Sequence, residues 1–258
     1  MQFGVLGPLR IAVAGSAADV AVAPKVRTVL AMLLLHTDQV VPVPALMRDL
    51  WNERPPATGL RTLQTYILNC RKLLAQLTGR PSADIARDTL VTRAGGYSFT
   101  SACGPVDWLD FQRLTDRGGK AIAAGDDRSG IQLMEQALEL WRGDALADVP
   151  AGPVIEAKRR LLEESRLGAI GVLSEARIRK GMHREVTAQL VALTSEHQLH
   201  EGLHAQYMRA LALSGRRAEA LEVFSDLRVR LAAEIGIDPG YPLQQLQLAI
   251  LKSHTGDI

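Results

Sequence analysis

The sequence has 258 residues, 47% of them hydrophobic, which is enough apolar side chains for the cores of two compact domains. Its two cysteines, Cys70 and Cys103, form neither a disulfide framework nor a metal-ligand pair. No apolar run approaches the roughly 20 residues that cross a bilayer, and the opening MQFGVLGPLRIAV alternates like a strand. These features disfavour export and membrane insertion and favour a cytoplasmic protein.

The net charge of +2 conceals a difference between two parts of the chain. Residues 1–100 contain 11 lysines and arginines against 6 acidic residues, a balance of +5. Residues 101–258 contain 19 against 22, a balance of −3. A basic module therefore precedes a mildly acidic one, and positive charge in the first module favours a polyanionic partner.

The first module begins with signals for a small antiparallel sheet. Short strands are predicted at residues 2–6, 10–13 and 19–22, separated by the turn-forming pairs Gly7-Pro8 and Gly15-Ser16. A first helix is predicted from Pro24 to about His36, since apolar residues follow Pro24 with helical spacing. Residues 40–43 are expected to be extended.

Two further helices and a hairpin complete this module. A short helix is predicted from Pro44 to the stop at Arg54-Pro55-Pro56. A longer one is expected from near Thr58 to Leu77, with buried candidates Leu60, Leu63, Ile67, Leu73 and Leu74. The β-rich runs 89–92 and 97–100 flank Arg93-Ala94-Gly95-Gly96, a pattern typical of a hairpin.

From Val106 to Leu251 the sequence predicts amphipathic helices alone. An offset of 34 residues aligns Gly181 with Gly215, Glu185 with Glu219 and Leu190 with Phe224, which is the tetratricopeptide period. We therefore expect an α+β N-terminal domain at residues 1–100 and an all-α, tetratricopeptide-like domain at residues 106–258. Residues 101–105 have the composition of a connection, so the two modules are expected to be separable, with residues 1–100 folding alone and keeping the polyanion-binding function.

Several short motifs carry a resemblance to a known family. In the first module they are Leu6-Gly7-Pro8-Leu9, Pro24-Lys25-Val26-Arg27, Leu50-Trp51 before Pro55-Pro56, the run 62–67 (TLQTYI) and Gly96-Tyr97. In the second they are Ala137-Leu138, Leu140-Trp141-Arg142-Gly143, the run 218–221 (AEAL) and the run 234–240 (EIGIDPG). The sequence resembles the SARP family, the antibiotic regulatory proteins of actinomycetes, over nearly its whole length.

This resemblance implies an OmpR-type winged helix-turn-helix followed by a bacterial transcriptional activation domain. It implies a non-enzyme transcription activator without a cofactor, which binds direct repeats in double-stranded DNA upstream of biosynthetic genes. The expected partners are promoter DNA, RNA polymerase holoenzyme and a second copy on DNA, with no membrane. The expected location is the cytoplasm, at the nucleoid, and the expected process is antibiotic or other secondary-metabolite production.

The sequence departs from the family pattern within the third helix. Where family recognition helices usually end in an Arg-Leu-Arg-like run, this one reads Leu68-Asn69-Cys70-Arg71-Lys72, so base preference is expected to differ. The nucleotide-binding run GxxxxGK[ST] of large family members does not occur in this sequence.

The third helix supplies most candidate DNA contacts. Arg61, Thr65, Asn69 and Lys72 follow at intervals of four, four and three, opposite the apolar stripe, and a helix fits the major groove. Asn69 is the candidate for reading adenine with its amide. The other candidates for phosphate or base contacts are Arg61, Thr62, Thr65, Tyr66, Arg71 and Lys72, together with Arg93 at the hairpin tip, facing an adjacent minor groove.

Two alternatives to a DNA-binding activator follow from the residues. A helical-repeat scaffold could carry a basic domain for some other partner. The run His200-Glu201-Gly202-Leu203-His204 matches HExxH, in which two histidines bind zinc and the glutamate acts as general base, with Glu222 at a distance suited to a third ligand. Gly202 and the polar residues 194–198 argue against a zinc hydrolase, so no metal site is expected.

Overall fold

The computed structural model describes residues 1–13, 22–52 and 54–252, and the backbone of residues 16–19. The chain forms two compact units. The first unit comprises Met1–Asp116 and Gln136–Leu167, and the second comprises Arg117–Glu135 and Gly168–Ile258. The first unit thus includes residues on both sides of the expected connection, and the domain boundaries at residues 100 and 106 stay a prediction.

Two three-stranded antiparallel sheets frame the N-terminal part of the first unit. The first has the order β1 (Gln2–Gly4), β2 (Arg10–Val13), β3 (Ser16–Asp19). The second has the order β4 (Val40–Pro42), β6 (Gly96–Phe99), β5 (Leu90–Arg93), with Leu90 opposite Phe99 and Arg93 opposite Gly96. Strand β5 is therefore an edge strand that follows directly on the third helix and its short helical connection.

Helix α1 (Pro24–Leu35) forms the centre of this part, and eight consecutive residues from Thr28 to Leu35 are buried. A helix that is apolar on every side needs neighbours on every side. Helices α2 (Val43–Trp51) and α3 (Gly59–Thr78) supply them, and a short helix α4 (Ser82–Asp84) and a π-turn at Ile85–Thr89 lead into β5. Phe3 meets Phe99 edge to face at 4.9 Å.

The order of sheet, three helices and hairpin is confirmed, with local differences in strand bounds and in the buried residues of α3. The third strand is Ser16–Asp19 and not residues 19–22, of which residues 20 and 21 lie outside the described residues. The prediction that Leu60 is buried was wrong, because its side chain is 52% exposed at the start of α3. Leu73 was also expected to be buried and is only half-buried. The buried apolar side chains of α3 are Leu63, Ile67, Cys70 and Leu74.

Residues beyond the connection are bonded into the first unit. The buried carboxylate of Asp107, at the start of α5 (Asp107–Ala123), accepts hydrogen bonds from the backbone N–H groups of Val5 (2.8 Å) and Leu6 (3.2 Å) and from Arg142 (3.2 Å). The guanidinium of Arg142 also donates to the carbonyl oxygen of Pro8 at 3.0 Å. Two of the family motifs, around Gly7-Pro8 and Trp141-Arg142, therefore form one structure.

A second set of such bonds involves α2. Asp49 Oδ1 accepts from the N–H groups of Val154 (2.8 Å) and Ile155 (3.2 Å), which lie in the first turn of α7 (Pro153–Arg179). A carboxylate at a helix N-terminus satisfies free N–H donors and interacts favourably with the helix dipole. We call the contacts of residues 3–50 with residues 105–155 the junction.

The second unit is helical throughout its described part. It contains the end of α5, most of α6 (Asp127–Glu139), the rest of α7, and α8 (His183–Glu196), α9 (Glu201–Leu213), α10 (Arg217–Glu234) and α11 (Tyr241–Lys252). Its core includes Met208, Leu211, Phe224, Leu227 and Leu243. Among the described residues, no helix has both the length and the apolar character that crossing a bilayer requires.

The 34-residue offset is visible in the backbone. Helices α8 and α10 begin at His183 and Arg217, 34 positions apart (217 − 183). Each follows a glycine with positive φ, Gly181 at 74° and Gly215 at 78°, a conformation that glycine adopts without strain. Leu190 and Phe224 occupy equivalent buried positions. The tetratricopeptide-like interpretation of this region is therefore confirmed.

Candidate nucleic-acid interface

Helix α3 has one buried and one exposed face, and its 20 residues would extend about 30 Å. Leu63, Ile67, Cys70 and Leu74 are buried against the rest of the first unit. Burial raises the pKa of the Cys70 thiol to about 12, so this thiol stays protonated and packs as a small apolar side chain. Cys70 thus occupies a core position, and the opposite face is free for a partner.

The opposite face carries Arg61, Thr65 and Lys72, all exposed, with Asn69 half-buried at its margin. Within the part of the chain that the structure describes, the side chains of Arg61, Asn69 and Lys72 make no hydrogen bond or ion pair. Their donors and the Asn69 amide oxygen are therefore available to another molecule. These positions satisfy the geometric requirement for reading a groove with one helix face.

Three of the predicted contacts on this side of α3, Thr62, Thr65 and Tyr66, interact with neighbouring groups of the protein. The hydroxyls of Thr62 and Thr65 each donate to the carbonyl oxygen four residues earlier, at 3.1 Å, and keep their lone pairs as acceptors. The ring of Tyr66 stacks on Trp51 of α2, with centroids 6.4 Å apart and an interplanar angle of 22°. Tyr66 therefore lies at the α2 side of the exposed face.

Arg71 differs from the other predicted contacts, because its guanidinium is used inside the first unit. Nε and Nη2 donate to the carbonyl oxygen of Leu90 at 3.0 and 2.8 Å, and Nη2 also donates to Thr92 Oγ1 at 2.9 Å. Burial lowers the pKa of Arg71 from its ordinary value, and Tyr97 partly opposes this shift. The structure thus joins Arg71 to β5 of the hairpin.

The hairpin places Arg93 at the end of β5, with an exposed side chain whose Nε lies 3.4 Å from Ser98 Oγ. Gly95 has a φ of +75°, which the tight turn requires. A Cβ on Gly96 would lie 2.2 Å from the carbonyl oxygen of Val41, so only glycine allows β6 to approach β4. These two glycines make the short turn that exposes Arg93.

The ion pairs of the first module do not use the basic residues of α3 or of the hairpin tip. Among its described residues, the salt bridges use Arg27 with Asp148, Arg80 with Asp88, and Arg87 with Asp84 and Asp88. None of these arginines lies on α3 or at the hairpin tip. Arg61, Lys72 and Arg93 are therefore exposed positive charges without an ion-pair partner among the described residues.

Two exposed residues on the same face of α3 were not predicted as contacts. Gln64 is exposed, and the side chain of Leu68 is 45% exposed between Thr65 and Lys72 on the helix surface. The spacing 61–65–68–72 would have identified Leu68, since it continues the i, i+4, i+7 face. Sequence reasoning omitted it because an apolar residue on a helix is first assigned to the core.

The side chains of the HExxH run make hydrogen bonds that stabilise the fold of the second unit. The His200 side chain caps α9 by accepting from the N–H of Leu203 at 3.2 Å, and Glu201 accepts from the N–H of Gly240 at 2.6 Å. His204 is buried, and burial lowers its pKa. Among the described residues there is no group of three or more His, Cys, Asp or Glu that could hold a metal ion.

Comparison with known proteins gives the family. The model described as bacterial transcriptional activator domain matches residues 106–251, and the model described as transcriptional regulatory protein, C terminal, matches residues 17–99. Regulatory protein DnrI of Streptomyces peucetius is 43% identical over 256 residues, which are 99% of this chain and 94% of that protein. The chain belongs to the SARP family. This SARP regulator is a DNA-binding transcription factor of the activator kind and not an enzyme.

Two longer proteins also match the SARP chain. Regulatory protein AfsR of Streptomyces griseus is 38% identical over 253 residues, 98% of this chain but 25% of that protein. The solved structure of Mycobacterium tuberculosis EmbR, in complex with a low affinity phosphopeptide, superposes with a TM-score of 0.86 at 33% identity. That match covers 97% of this chain and 65% of the EmbR chain. The fold of the SARP chain is therefore the fold of the corresponding part of EmbR.

Proposed function

We propose that this protein activates transcription by reading promoter DNA with α3 in the major groove and the β5–β6 hairpin at the adjacent minor groove. The observation that carries the proposal is the exposed α3 face, on which Arg61, Asn69 and Lys72 have no partner in the described structure. Arg93 adds an exposed positive charge at the end of β5. A groove-sized helix with a basic face, followed by a hairpin with a basic tip, fits duplex DNA better than it fits a protein scaffold.

The side chains divide by chemistry into those that contribute affinity by binding phosphates and those that recognise bases. Arg61 and Lys72 bind phosphates or guanine edges, and Tyr66 donates its hydroxyl to a phosphate at the margin of the face. The hydroxyls of Thr62 and Thr65, which already donate to the helix backbone, accept from the amino group of an adenine or cytosine edge. Asn69 reads adenine, because a planar amide can donate to N7 and accept from N6. Leu68 lies on the exposed face and contacts the methyl group of a thymine, the one apolar group that a base edge presents in the major groove.

Further parts of the proposal rest on the family. Direct repeats upstream of biosynthetic genes would be bound by two copies of the chain, and the helical part of the protein would recruit RNA polymerase holoenzyme. Support comes from the match of residues 106–251 to an activator domain and from the regulatory names of DnrI and AfsR. The process controlled would be secondary-metabolite production, and the location would be the cytoplasm, at the nucleoid.

The test begins with selection of bound sequences from a random duplex pool by the purified full chain. We expect one enriched motif that occurs as a direct repeat, and a shifted band on gels that weakens steeply with salt. Each phosphate neutralised by Arg61, Lys72 or Arg93 should contribute about 0.9 to the slope of log K against log salt. In vitro transcription with purified polymerase then tests activation from a promoter that carries the selected motif.

Two results would contradict the proposal. If selection enriches no sequence and the salt slope is near zero, this surface does not bind DNA as an operator reader. If the motif is bound but transcription with holoenzyme is unchanged or reduced, the protein is not an activator at that promoter. The variant Arg87→Ala is the matched control for loss of one positive charge, because Arg87 lies outside α3 and is paired with Asp84.

A further inference from the structure

Arg71 is the one predicted DNA contact on α3 whose guanidinium is bonded to the hairpin. Three hydrogen bonds of 2.8 to 3.0 Å join Nε and Nη2 to the carbonyl oxygen of Leu90 and the hydroxyl of Thr92. Both acceptors lie on β5, and Thr92 directly precedes Arg93. The bonds therefore end one residue from the side chain proposed to reach the minor groove.

The position of β5 explains why the hairpin needs such a bond. Strand β5 is at the edge of its sheet, since the order is β4, β6, β5. Its inner side pairs with β6, from Leu90 opposite Phe99 to Arg93 opposite Gly96, and β6 pairs with β4. Among the described residues no strand pairs with the outer side of β5, so its outward carbonyl needs a donor from another element. Arg71 supplies that donor from α3.

An arginine is suited to this position in a way that a lysine is not. The planar guanidinium presents donors in a fixed fork, so one side chain can bond two acceptors on successive outward positions of a strand. Lysine has a single flexible ammonium, which gives no fixed direction. The fork therefore fixes the angle between α3 and β5 as well as their distance.

We propose that Arg71 is a positioning residue, which holds the β5–β6 hairpin at the angle to α3 that lets Arg93 reach DNA while α3 occupies the major groove. The proposal rests on the proposed function, because it concerns how the same surface binds DNA. It reassigns Arg71 from a direct contact to a residue that acts through Arg93. Asn69 and Lys72, two positions before and one after Arg71 in the sequence, remain contacts of α3 itself.

A double-mutant cycle on the selected operator tests this assignment. We expect Arg93→Ala and Arg71→Ala each to weaken binding by about five- to tenfold. The double variant should bind no more weakly than either single variant, because without Arg71 the contact of Arg93 is already lost. Arg71→Lys should behave like Arg71→Ala despite its retained charge, and Thr92→Val should give a smaller loss in the same direction.

The matched control is Lys72→Ala, combined with Arg93→Ala in the same way. Its loss should multiply with that of Arg93→Ala, since the two contacts are independent in the proposal. If the losses of Arg71→Ala and Arg93→Ala also multiply, and Arg71→Lys binds like the wild type, then Arg71 contacts DNA directly as a cation and the positioning role is overturned. If Lys72→Ala and Arg93→Ala are both without effect, the proposed DNA surface itself is wrong.

Hydrogen exchange of the free protein gives a readout without DNA. In Arg71→Lys we expect backbone amides of residues 91–98 to exchange at least several-fold faster, with amides of α1 unchanged. Faster exchange throughout the first unit would show a general loss of stability, and unchanged exchange of the hairpin would show that Arg71 does not hold it. Either of these results would overturn the positioning role.

Discussion

The exposed face of α3 and the junction lie in the same unit but are built on opposite principles. The α3 face consists of side chains separated by three or four residues, and those of Arg61, Asn69 and Lys72 make no hydrogen bond or ion pair in the described structure. The junction consists of largely buried groups that are far apart in sequence, such as Val5 and Asp107 (102 residues) and Leu34 and Trp108 (74 residues). Its backbone N–H donors each have an acceptor, whereas Asp49 Oδ2 has no hydrogen-bond partner among the described residues. A surface that binds another molecule leaves its hydrogen-bond donors unpaired in the free protein, whereas a buried junction pairs its polar groups within the fold.

The largest effect is expected from a truncation that removes one side of the junction. A fragment of residues 1–100, expected from sequence to fold and bind DNA, would lose the acceptors for the N–H groups of Phe3, Val5, Leu6 and Leu9. It would also lose Trp108, whose indole N–H donates to the carbonyl oxygen of Leu34 at 2.9 Å. Against a total stability of about 5–15 kcal/mol, we expect this fragment to be largely unfolded and unable to bind the operator.

The matched fragment ends at residue 180 and keeps every residue of the first unit. Circular dichroism and urea titration of both fragments would measure the difference. Tryptophan fluorescence reports on the first unit alone, because Trp51, Trp108 and Trp141 all belong to it. A cooperative transition for residues 1–100 at the urea midpoint of the longer fragment would show that the junction is dispensable, and would restore the simple separation of two domains.

The second prediction disrupts the junction at one atom group in the full chain. Asp107→Ala removes a buried carboxylate and leaves two backbone N–H groups and the guanidinium of Arg142 without it. We expect a loss of about 3 kcal/mol in the free energy of unfolding of the first unit, measured by tryptophan fluorescence in urea. Asp110→Ala on the same helix is the control, since its partly exposed pair with Arg113 should contribute less than about 1 kcal/mol. Equal losses for both variants would contradict a special role for the junction.

How much the sequence could predict differs between the two regions for a physical reason. The α3 face follows from helical periodicity, which is local, and so does the hairpin, because Gly95 and Gly96 mark its turn. Leu60 was assigned to the core because periodicity alone does not show which neighbours cover a helix end. Leu68 was omitted although its spacing places it on the exposed face. The junction could not be derived, since pairs such as Asp49 with Val154 depend on the complete tertiary fold. The same holds for Arg71, whose partners are 19 and 21 residues away on another element.

The third prediction concerns the α3 face and separates base recognition from sequence-independent affinity. Asn69→Ala should cost about 2 kcal/mol on the selected operator and much less on operators with another base at the affected position. Lys72→Ala should weaken binding to all sequences alike and reduce the salt slope by about 1. Gel shifts on a panel of single-base operator variants measure both. If Lys72→Ala changes the base preference and Asn69→Ala does not, the register of α3 in the groove is different from the one proposed.

The smallest expected effect concerns Leu68, the exposed leucine of the α3 face. If its side chain packs against a thymine methyl group, replacing that thymine by uracil removes only the methyl and should weaken binding of the wild-type protein by about 1 kcal/mol. Leu68→Ala should bind the thymine operator about as weakly as the wild type binds the uracil operator, and should no longer distinguish the two. Scanning uracil through each thymine of the operator, with both proteins, locates the contact.

Leu60→Ala serves as the control, because Leu60 is similarly exposed but lies on another side of α3. A Leu68→Ala variant that still discriminates thymine from uracil at every position would return Leu68 to the status of an isolated surface leucine, which folded proteins tolerate without a function.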